Sequence, residues 1–324
     1  MKKIKVGING LGRIGRAFLR AAAKCPEIEV VAVNDLGEKE NMEYLLKHDS
    51  VYGRSDCTLD GITYLSEKEP GKLPWKELGI DVVVEATGFF ASAEKSQAHL
   101  DAGARRVVIT APVKEGETIL MGLNDEKLAK AKVTSNASCT TNAASPIIVI
   151  LDEAVGIEKA VLNTVHAYTA TQALVDGPAG KKGLREGRAA AANIIPSSTG
   201  AAIAVTKAYP SLEGKFDGIS LRVPVICGSI ADITFIAKRD TTVEEVNEIL
   251  RKAAKMPRWA GIFAASDDEL VSSDIIGSTE GAIAELSMTR VVGNLVKVLV
   301  WYDNESGYAN TLLSHVLKVG KLIS

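Results

Sequence analysis

The residue pattern predicts an α/β chain in two parts. A doubly wound parallel sheet comes first, and an α+β part on a mixed or antiparallel sheet follows. Three observations predict this. The chain has 324 residues, enough for about two domains of roughly 150 residues. Its first half alternates short β-branched runs with helical stretches, the grammar of a parallel sheet covered on both faces. Its second half carries longer segments that alternate apolar and polar residues, as in ITFIAKR and LVKVLVWYD.

The elements follow in order. Residues 3–8 (KIKVGI) read as a buried strand, 13–23 (RIGRAFLRAAA) as a helix and 28–33 (IEVVAV) as a second strand. Residues 81–85 (DVVVE) and 106–110 (RVVIT) are two more strands, with a helix over 92–103 between them. Further strands are expected at 159–166, 216–224, 229–238 and 291–302. A helix begins near Thr241, where Thr241 and Glu244 form a capping-box pair. Residues 305–322 read as a terminal helix, and the Gly- and Lys-rich 176–187 as a long surface loop.

Lys and Arg number 38 against 40 Asp and Glu, a net charge of −2. That balance gives no sign of a nucleic-acid partner. Apolar residues are 46% and charged residues 24%, a globular composition. No apolar run reaches the ~18 residues of a membrane span, so no membrane partner is expected. The start, MKKIKVGING, lacks the apolar and cleavage regions of a signal peptide. Four cysteines in so long a chain do not suggest a disulfide framework. A cytoplasmic address is the expectation.

Between the first strand and first helix stands GLGRIG, with Gly10, Gly12 and Gly15 in G-x-G-x-x-G spacing. The first glycine suits a tight turn, the second lets a pyrophosphate approach the backbone, and the third lets helix and strand pack closely. The helix start then offers unpaired N–H groups to the anion. Asp35, 20 residues after Gly15 at the end of the second strand, would accept from an adenosine ribose and repel a 2′-phosphate. This is the Rossmann fingerprint and predicts NAD. The plain alternative is a glycine-rich turn with a strand-end aspartate.

Cys139 lies in SNASCTTNAASP, among small polar residues just before an apolar helical run. A thiol at a helix start is expected to have a lowered pKa and nucleophilic character. Cys25, Cys57 and Cys227 read as filler. His166 ends an apolar strand and opens HAYTATQ, where it could exchange protons with a cysteine. His48, His99 and His315 read as surface or packing residues. Spacing alone leaves open whether His166 meets Cys139 or merely caps the sheet.

These segments together resemble the phosphorylating glyceraldehyde-3-phosphate dehydrogenase family over essentially the whole chain. The carriers are INGLGRIGR, VND, SNASCTTN, HAYTATQ, GRAAAANIIPSSTGAA, SLRVP and WYDNESGY. The resemblance implies that Cys139 attacks the aldehyde of glyceraldehyde 3-phosphate and that His166 is its base. Hydride passes to NAD, and inorganic phosphate cleaves the thioester. Gly10, Gly12, Arg13, Ile14, Gly15, Asp35, Thr87, Gly88 and Thr110 match positions that hold the cofactor. Asn304 matches the residue on the nicotinamide carboxamide, with Tyr308 beside it. Ser138, Thr140, Thr199 and Gly200 match the inorganic phosphate site. Thr169, Thr171 and Arg222 match the site for the substrate's own phosphate. No metal is implied. A homotetramer is, and so is a split into 1–138 plus 304–324 and 139–303.

The chain departs from the family pattern in places. Ala143 replaces a second cysteine, Val225 and Ile226 replace Thr-Pro, and Ser306 replaces an aromatic. Ile203 stands where a lysine is usual, and Glu186 where an arginine is usual. A carboxylate at 186 is expected to weaken anion binding if it points at the site. It would not if it pairs with Arg185 or Arg188. Lys181 or Lys182 in the loop could soften the preference for NAD over NADP. Two other readings remain: a relative specialised for erythrose 4-phosphate, which HAYTATQ and SSTGAA disfavour, and a non-catalytic binding protein.

Overall fold

The computed structural model describes residues 2–179 and 183–323. The chain forms two compact units, Met1–Ser138 with Ala309–Ser324, and Cys139–Tyr308. The boundary between these units falls at Ala309, within the terminal helix Ser306–Lys321. Asn304 and Tyr308 consequently belong to the second unit.

The first unit holds a seven-stranded sheet in which every pairing is parallel. Its order is Thr63–Leu65, Ile28–Asn34, Ile4–Asn9, Val82–Glu85, Arg106–Ile109, Val133–Ser135 and Glu117–Thr118. Chain order reverses beside Ile4–Asn9. At such a switch point the connections leave on opposite faces and open a crevice at the carboxyl ends of the strands. Val82, Val83, Val84 and Glu85 are all buried, which explains why this strand shows no alternation. Trp75, Ile80, Val83, Val107 and Ile109 form a core on one face. The helix Ala93–Asp101 begins where the Ser92 hydroxyl accepts from the Lys95 amide at 3.1 Å. The short strands at 63–65, 117–118 and 133–135 and the helix Lys39–Lys47 are additions to the expected set.

The second unit is built on a mixed sheet. Its order is Ile195–Ser198, Phe216–Val223, Ile157–Ala167, Ser229–Ala237, Leu295–Tyr302, Ala282–Val292 and Phe263–Ser266. Ile157–Ala167 runs parallel to Phe216–Val223 and antiparallel to Ser229–Ala237. Burial alternates residue by residue along Ser229–Ala237. The helices Cys139–Val155, Ala201–Ala208 and Val243–Ala253 pack on the sheet. The expected strand 291–302 is instead the end of one strand and all of the next, turned at Gly293 with φ +61°. The helix expected from Thr241 is capped one residue later. Thr242 accepts from the Glu245 amide at 3.2 Å, while the Thr241 hydroxyl donates to the Glu245 carboxylate at 2.7 Å.

Candidate active site

The glycine turn of the first unit is tightly determined. Gly10 has φ +98°, and a Cβ there would lie 2.7 Å from the Thr87 amide nitrogen. A Cβ on Gly15 would collide with the Gly10 carbonyl. At Gly12 a Cβ would meet no atom within 4 Å, so this position faces open space. It is also the N-cap of the helix Arg13–Ala22 and makes no side-chain cap bond. Open space at a helix start suits a diphosphate.

The turn borders a cavity of about 480 Å³ at the carboxyl ends of the strands, lined in part by Gly10, Gly12, Asp35 and Thr87. Asp35 Oδ2 accepts from the Leu11 amide at 2.7 Å and Oδ1 from the Gly37 amide at 2.9 Å. Its carboxylate is therefore locked beside the turn. Leu36 and Phe89 are apolar yet strongly exposed at the cavity, and sequence reasoning did not single them out. Arg13 donates to Asp49 at 2.7 Å, Ile14 is half-buried, and the Thr110 amide donates to the Glu85 carbonyl at 3.0 Å. Gly88 has φ +75°. Lys181 and Lys182 lie outside the described residues.

A buried network stands beneath this cavity. Trp75 Nε1 donates to His99 Nδ1 at 3.0 Å. An indole only donates, so Nδ1 accepts and the ring proton sits on Nε2, 3.0 Å from Glu85 Oε2. Glu85 also accepts from Asn9 Nδ2 at 2.6 Å and from the Thr87 amide and hydroxyl. His99 is thus no surface residue. It braces the carboxylate that fixes both Asn9, before the turn, and Thr87, across from it.

In the second unit Cys139 is the first residue of the helix Cys139–Val155. Its sulfur lies 3.4 Å from His166 Nε2. The pair that spacing left open is therefore in contact. The helix start does not depress the thiol pKa as expected. Burial pushes it up, outweighing the opposing pull of Arg222 and of the hydrogen bonds at Thr140. Burial, reinforced by the Arg222 charge, pushes His166 down to about 3. At neutral pH the pair is thiol and neutral imidazole.

Sheet register places Arg222 directly beside His166. Arg222 Nη1 lies 2.6 Å from His166 Nδ1 and 3.0 Å from the Ala167 carbonyl, which is itself 2.6 Å from Nδ1. Arg222 only donates and the carbonyl only accepts, so the two compete for Nδ1; a ring protonated on Nδ1 donates to the carbonyl and turns the Nε2 lone pair to the sulfur. Base chemistry requires this tautomer. Among the described residues, nothing accepts from the buried Nε of Arg222, a donor set suited to an anion.

The Tyr302 hydroxyl lies 2.8 Å from Thr140 Oγ1 and 2.7 Å from Thr164 Oγ1, and its ring stands edge-on to His166. Ser138 directly precedes the nucleophile. Thr199 Oγ1 accepts from the Ala201 amide at 3.2 Å, with Gly200 as the N-cap of Ala201–Ala208. The Ser229 hydroxyl donates to Asn304 Oδ1 at 3.0 Å and accepts from the Ala167 amide at 3.1 Å. One hydroxyl thus joins the strand of the base to Asn304 and leaves the Asn304 Nδ2 end turned away from Ser229. Asp303 accepts from the Glu305 and Ser306 amides, starting the terminal helix, and from the Gly277 amide. Tyr308 is buried.

Thr169 Oγ1 lies 3.0 Å from Thr171 Oγ1, and both hydroxyls bond to Gln172. Glu186 is buried and faces the Gln172 amide and the Ser197 hydroxyl. It accepts from Gln172 at 2.5 Å and from Ser197 at 2.7 Å, while Arg188 pairs with Asp176. Tyr302, Ser229, Asp303, Gln172 and Ser197 escaped sequence reasoning as site residues. Among the described residues no group of three His, Cys, Asp or Glu could hold a metal ion. No helix among them is long and apolar enough to cross a membrane.

Comparison with known proteins identifies the family. Residues 4–93 match the family model for the glyceraldehyde 3-phosphate dehydrogenase NAD binding domain, and 138–304 match that for the C-terminal domain. A glyceraldehyde-3-phosphate dehydrogenase of Mycolicibacterium smegmatis is 45% identical over 339 residues, covering 98% of this chain and 99% of the relative. Glyceraldehyde-3-phosphate dehydrogenase 1 of Streptomyces avermitilis is 45% identical and covers 98% of both. The dinucleotide turn, the Cys139–His166 contact and likeness over nearly the whole length converge: the chain belongs to the glyceraldehyde 3-phosphate dehydrogenase family.

Proposed function

We propose that this protein is an NAD-dependent enzyme that oxidises D-glyceraldehyde 3-phosphate and joins the product to inorganic phosphate, giving 1,3-bisphosphoglycerate. The observation that carries the reading is the 3.4 Å approach of the Cys139 sulfur to His166 Nε2, with Arg222 beside them.

The chemistry follows from the residues. His166 Nε2 takes the thiol proton as the Cys139 sulfur bonds to the aldehyde carbon, giving a thiohemiacetal. Having passed that proton to the former carbonyl oxygen, His166 takes it back from the hydroxyl while hydride leaves the same carbon. NAD, when bound, supplies the hydride acceptor. The product is a thioester on Cys139. A phosphate oxygen attacks it, the acyl phosphate departs, and the Cys139 thiolate takes the proton held by His166, which restores thiol and neutral ring. The buried His166 ring is neutral at physiological pH, and its Nε2 lies 3.4 Å from the sulfur whose proton it takes.

Arg222, Thr169 and Thr171 would hold the substrate's phosphate. Ser138, Thr140, Thr199 and Gly200 would hold the attacking one, with Tyr302 fixing the Thr140 hydroxyl. Asn304 would hold the nicotinamide carboxamide, with Tyr308 packed nearby. In the first unit Gly10, Gly12, Arg13, Ile14 and Gly15 would cradle the diphosphate, and Asp35 the ribose. Thr87, Gly88 and Thr110 would line the remainder, and Leu36 and Phe89 offer apolar faces to a base. A cytoplasmic homotetramer fits the composition and the family. Neither erythrose 4-phosphate nor a purely binding role is favoured by the relatives. NADH formation from glyceraldehyde 3-phosphate, with phosphate or arsenate as acceptor, tests the reading. No absorbance rise at 340 nm with either acceptor would refute it.

A further inference from the structure

We propose that Glu186 is a positioning residue for the substrate's phosphate, acting through Gln172 on the Thr169 and Thr171 hydroxyls. This rests on the reading of those two threonines as phosphate-binding. On simple electrostatics Glu186 should do the opposite. A carboxylate near a phosphate opposes it, and its removal should tighten binding.

The geometry argues otherwise. Glu186 is only 6% exposed and sits in the short turn Leu184–Gly187. Its Oε2 accepts from Gln172 Nε2 at 2.5 Å, and its Oε1 accepts from Ser197 Oγ at 2.7 Å. A carboxylate can only accept, so the end of the Gln172 amide that faces it must be the NH₂. That choice fixes the other end. Gln172 Oε1 faces Thr169 and accepts from its amide at 2.8 Å and its hydroxyl at 3.2 Å. Gln172 Nε2 also reaches Thr171 Oγ1 at 3.1 Å, and the two threonine hydroxyls lie 3.0 Å apart.

The second carboxylate bond ties this turn to a strand. Ser197 lies on Ile195–Ser198, which pairs with Phe216–Val223, and Ile195 stands opposite Arg222. Glu186 therefore joins the threonine turn to the strand pair that carries the arginine. Without it the Gln172 amide can turn over, and the hydroxyls lose their fixed directions. The residue is then a specificity device: it favours phosphorylated aldehydes over unphosphorylated ones.

The charge and positioning accounts predict opposite signs, which makes the test decisive. Glu186→Gln keeps the shape but offers one acceptor oxygen in place of two. Positioning predicts that Glu186→Gln and Glu186→Ala raise KM for glyceraldehyde 3-phosphate roughly tenfold, in line with loss of a hydrogen bond to a charged acceptor. It predicts kcat/KM for unphosphorylated D-glyceraldehyde within about twofold of wild type, and an unchanged KM for inorganic phosphate. Gln172→Ala should reproduce the effect, and Glu186→Ala with Gln172→Ala should be no worse than either alone. This second variant also serves if either Glu186 variant fails to fold. An unchanged or lowered KM for glyceraldehyde 3-phosphate would overturn the proposal. So would a parallel loss on D-glyceraldehyde, which marks general damage. Failure of the underlying reading looks different: the wild type itself would then fail to prefer the phosphorylated aldehyde.

Discussion

Replacing His315 by glutamine should flatten the acid end of this protein's stability curve. His315 is fully buried on the terminal helix. Its Nδ1 lies 3.1 Å from Asn136 Oδ1 and its Nε2 2.9 Å from Thr134 Oγ1, contacts that a neutral ring satisfies with one donor and one acceptor. Burial holds its pKa at about 3 instead of 6.5, with smaller and opposed effects from Asp125 and Lys318. The folded state thus refuses a proton that the unfolded chain accepts. The stability at stake is fully present above pH 6.5 and is lost as pH falls toward 3. At about 1.4 kcal/mol per pH unit, the fall from 6.5 to 5 costs ~2 kcal/mol, with ~5 kcal/mol as the ceiling near pH 3. His166 titrates in the same direction, so wild type alone cannot apportion the loss. Urea unfolding of wild type and His315→Gln at pH 7.5 and pH 5 can. The variant is expected to start weaker at pH 7.5, but its drop between the two pH values should be smaller by about 2 kcal/mol. Equal drops would refute the reasoning. Thr134 and Asn136 lead along the chain into Ser138 and Cys139, so acid release of His315 should also lower activity.

Other expectations concern the chemistry. Cys139→Ala should abolish turnover and leave NAD binding intact. In the NAD-free wild type, iodoacetamide labelling of Cys139 should climb as pH rises from 7 toward 9, because burial raises the thiol pKa; a plateau reached by pH 6 would contradict that. His166→Asn should cost roughly 10² to 10⁴ in kcat with the fold kept, the range for general acid–base catalysis; steady-state rates decide. Asp35→Ala should narrow the preference for NAD over NADP by improving NADP, since it removes the carboxylate that repels a 2′-phosphate; ratios of kcat/KM report it. Ser229→Ala should raise KM for NAD by freeing the Asn304 amide to turn over. It should also lower stability by about 1–3 kcal/mol, because the buried Ala167 amide loses its acceptor. An unaltered KM for NAD would refute a role for Ser229 in orienting Asn304.

What could be read beforehand divides along a physical line. Gly10, Gly12, Gly15 and Asp35 were legible because a dinucleotide turn is local, with all its constraints inside one strand–turn–helix unit. Cys139 and His166 were legible as types, from small polar residues at a helix start and hydroxyls after a strand. Their contact was not, because it joins positions 27 residues apart through the sheet. Ser229 was invisible for the same reason, since its partners Ala167 and Asn304 lie 62 and 75 residues away. His99 and His315 read as ordinary because a histidine on an amphipathic helix looks the same whether it faces water or a buried carboxylate. The edge strands Ile195–Ser198 and Phe263–Ser266 are too short to show a period, and Pro196 suits an edge but hides a strand.

Charge was the least transferable quantity. A helix start beside the sulfur promised a lowered thiol pKa, and an acidic residue at 186 promised repulsion. Both inferences counted charges and dipoles without knowing what enclosed them. Around Cys139 the loss of solvent outweighs the favourable amides. Around Glu186, hydrogen bonds from Gln172 and Ser197 reach both carboxylate oxygens and give the Gln172 amide its direction. Sequence sets which charges are available, but burial and hydrogen-bond partners decide whether each acts as a field or as a brace. In this site the residue whose charge looked adverse is hydrogen-bonded to the very turn that carries the two threonines.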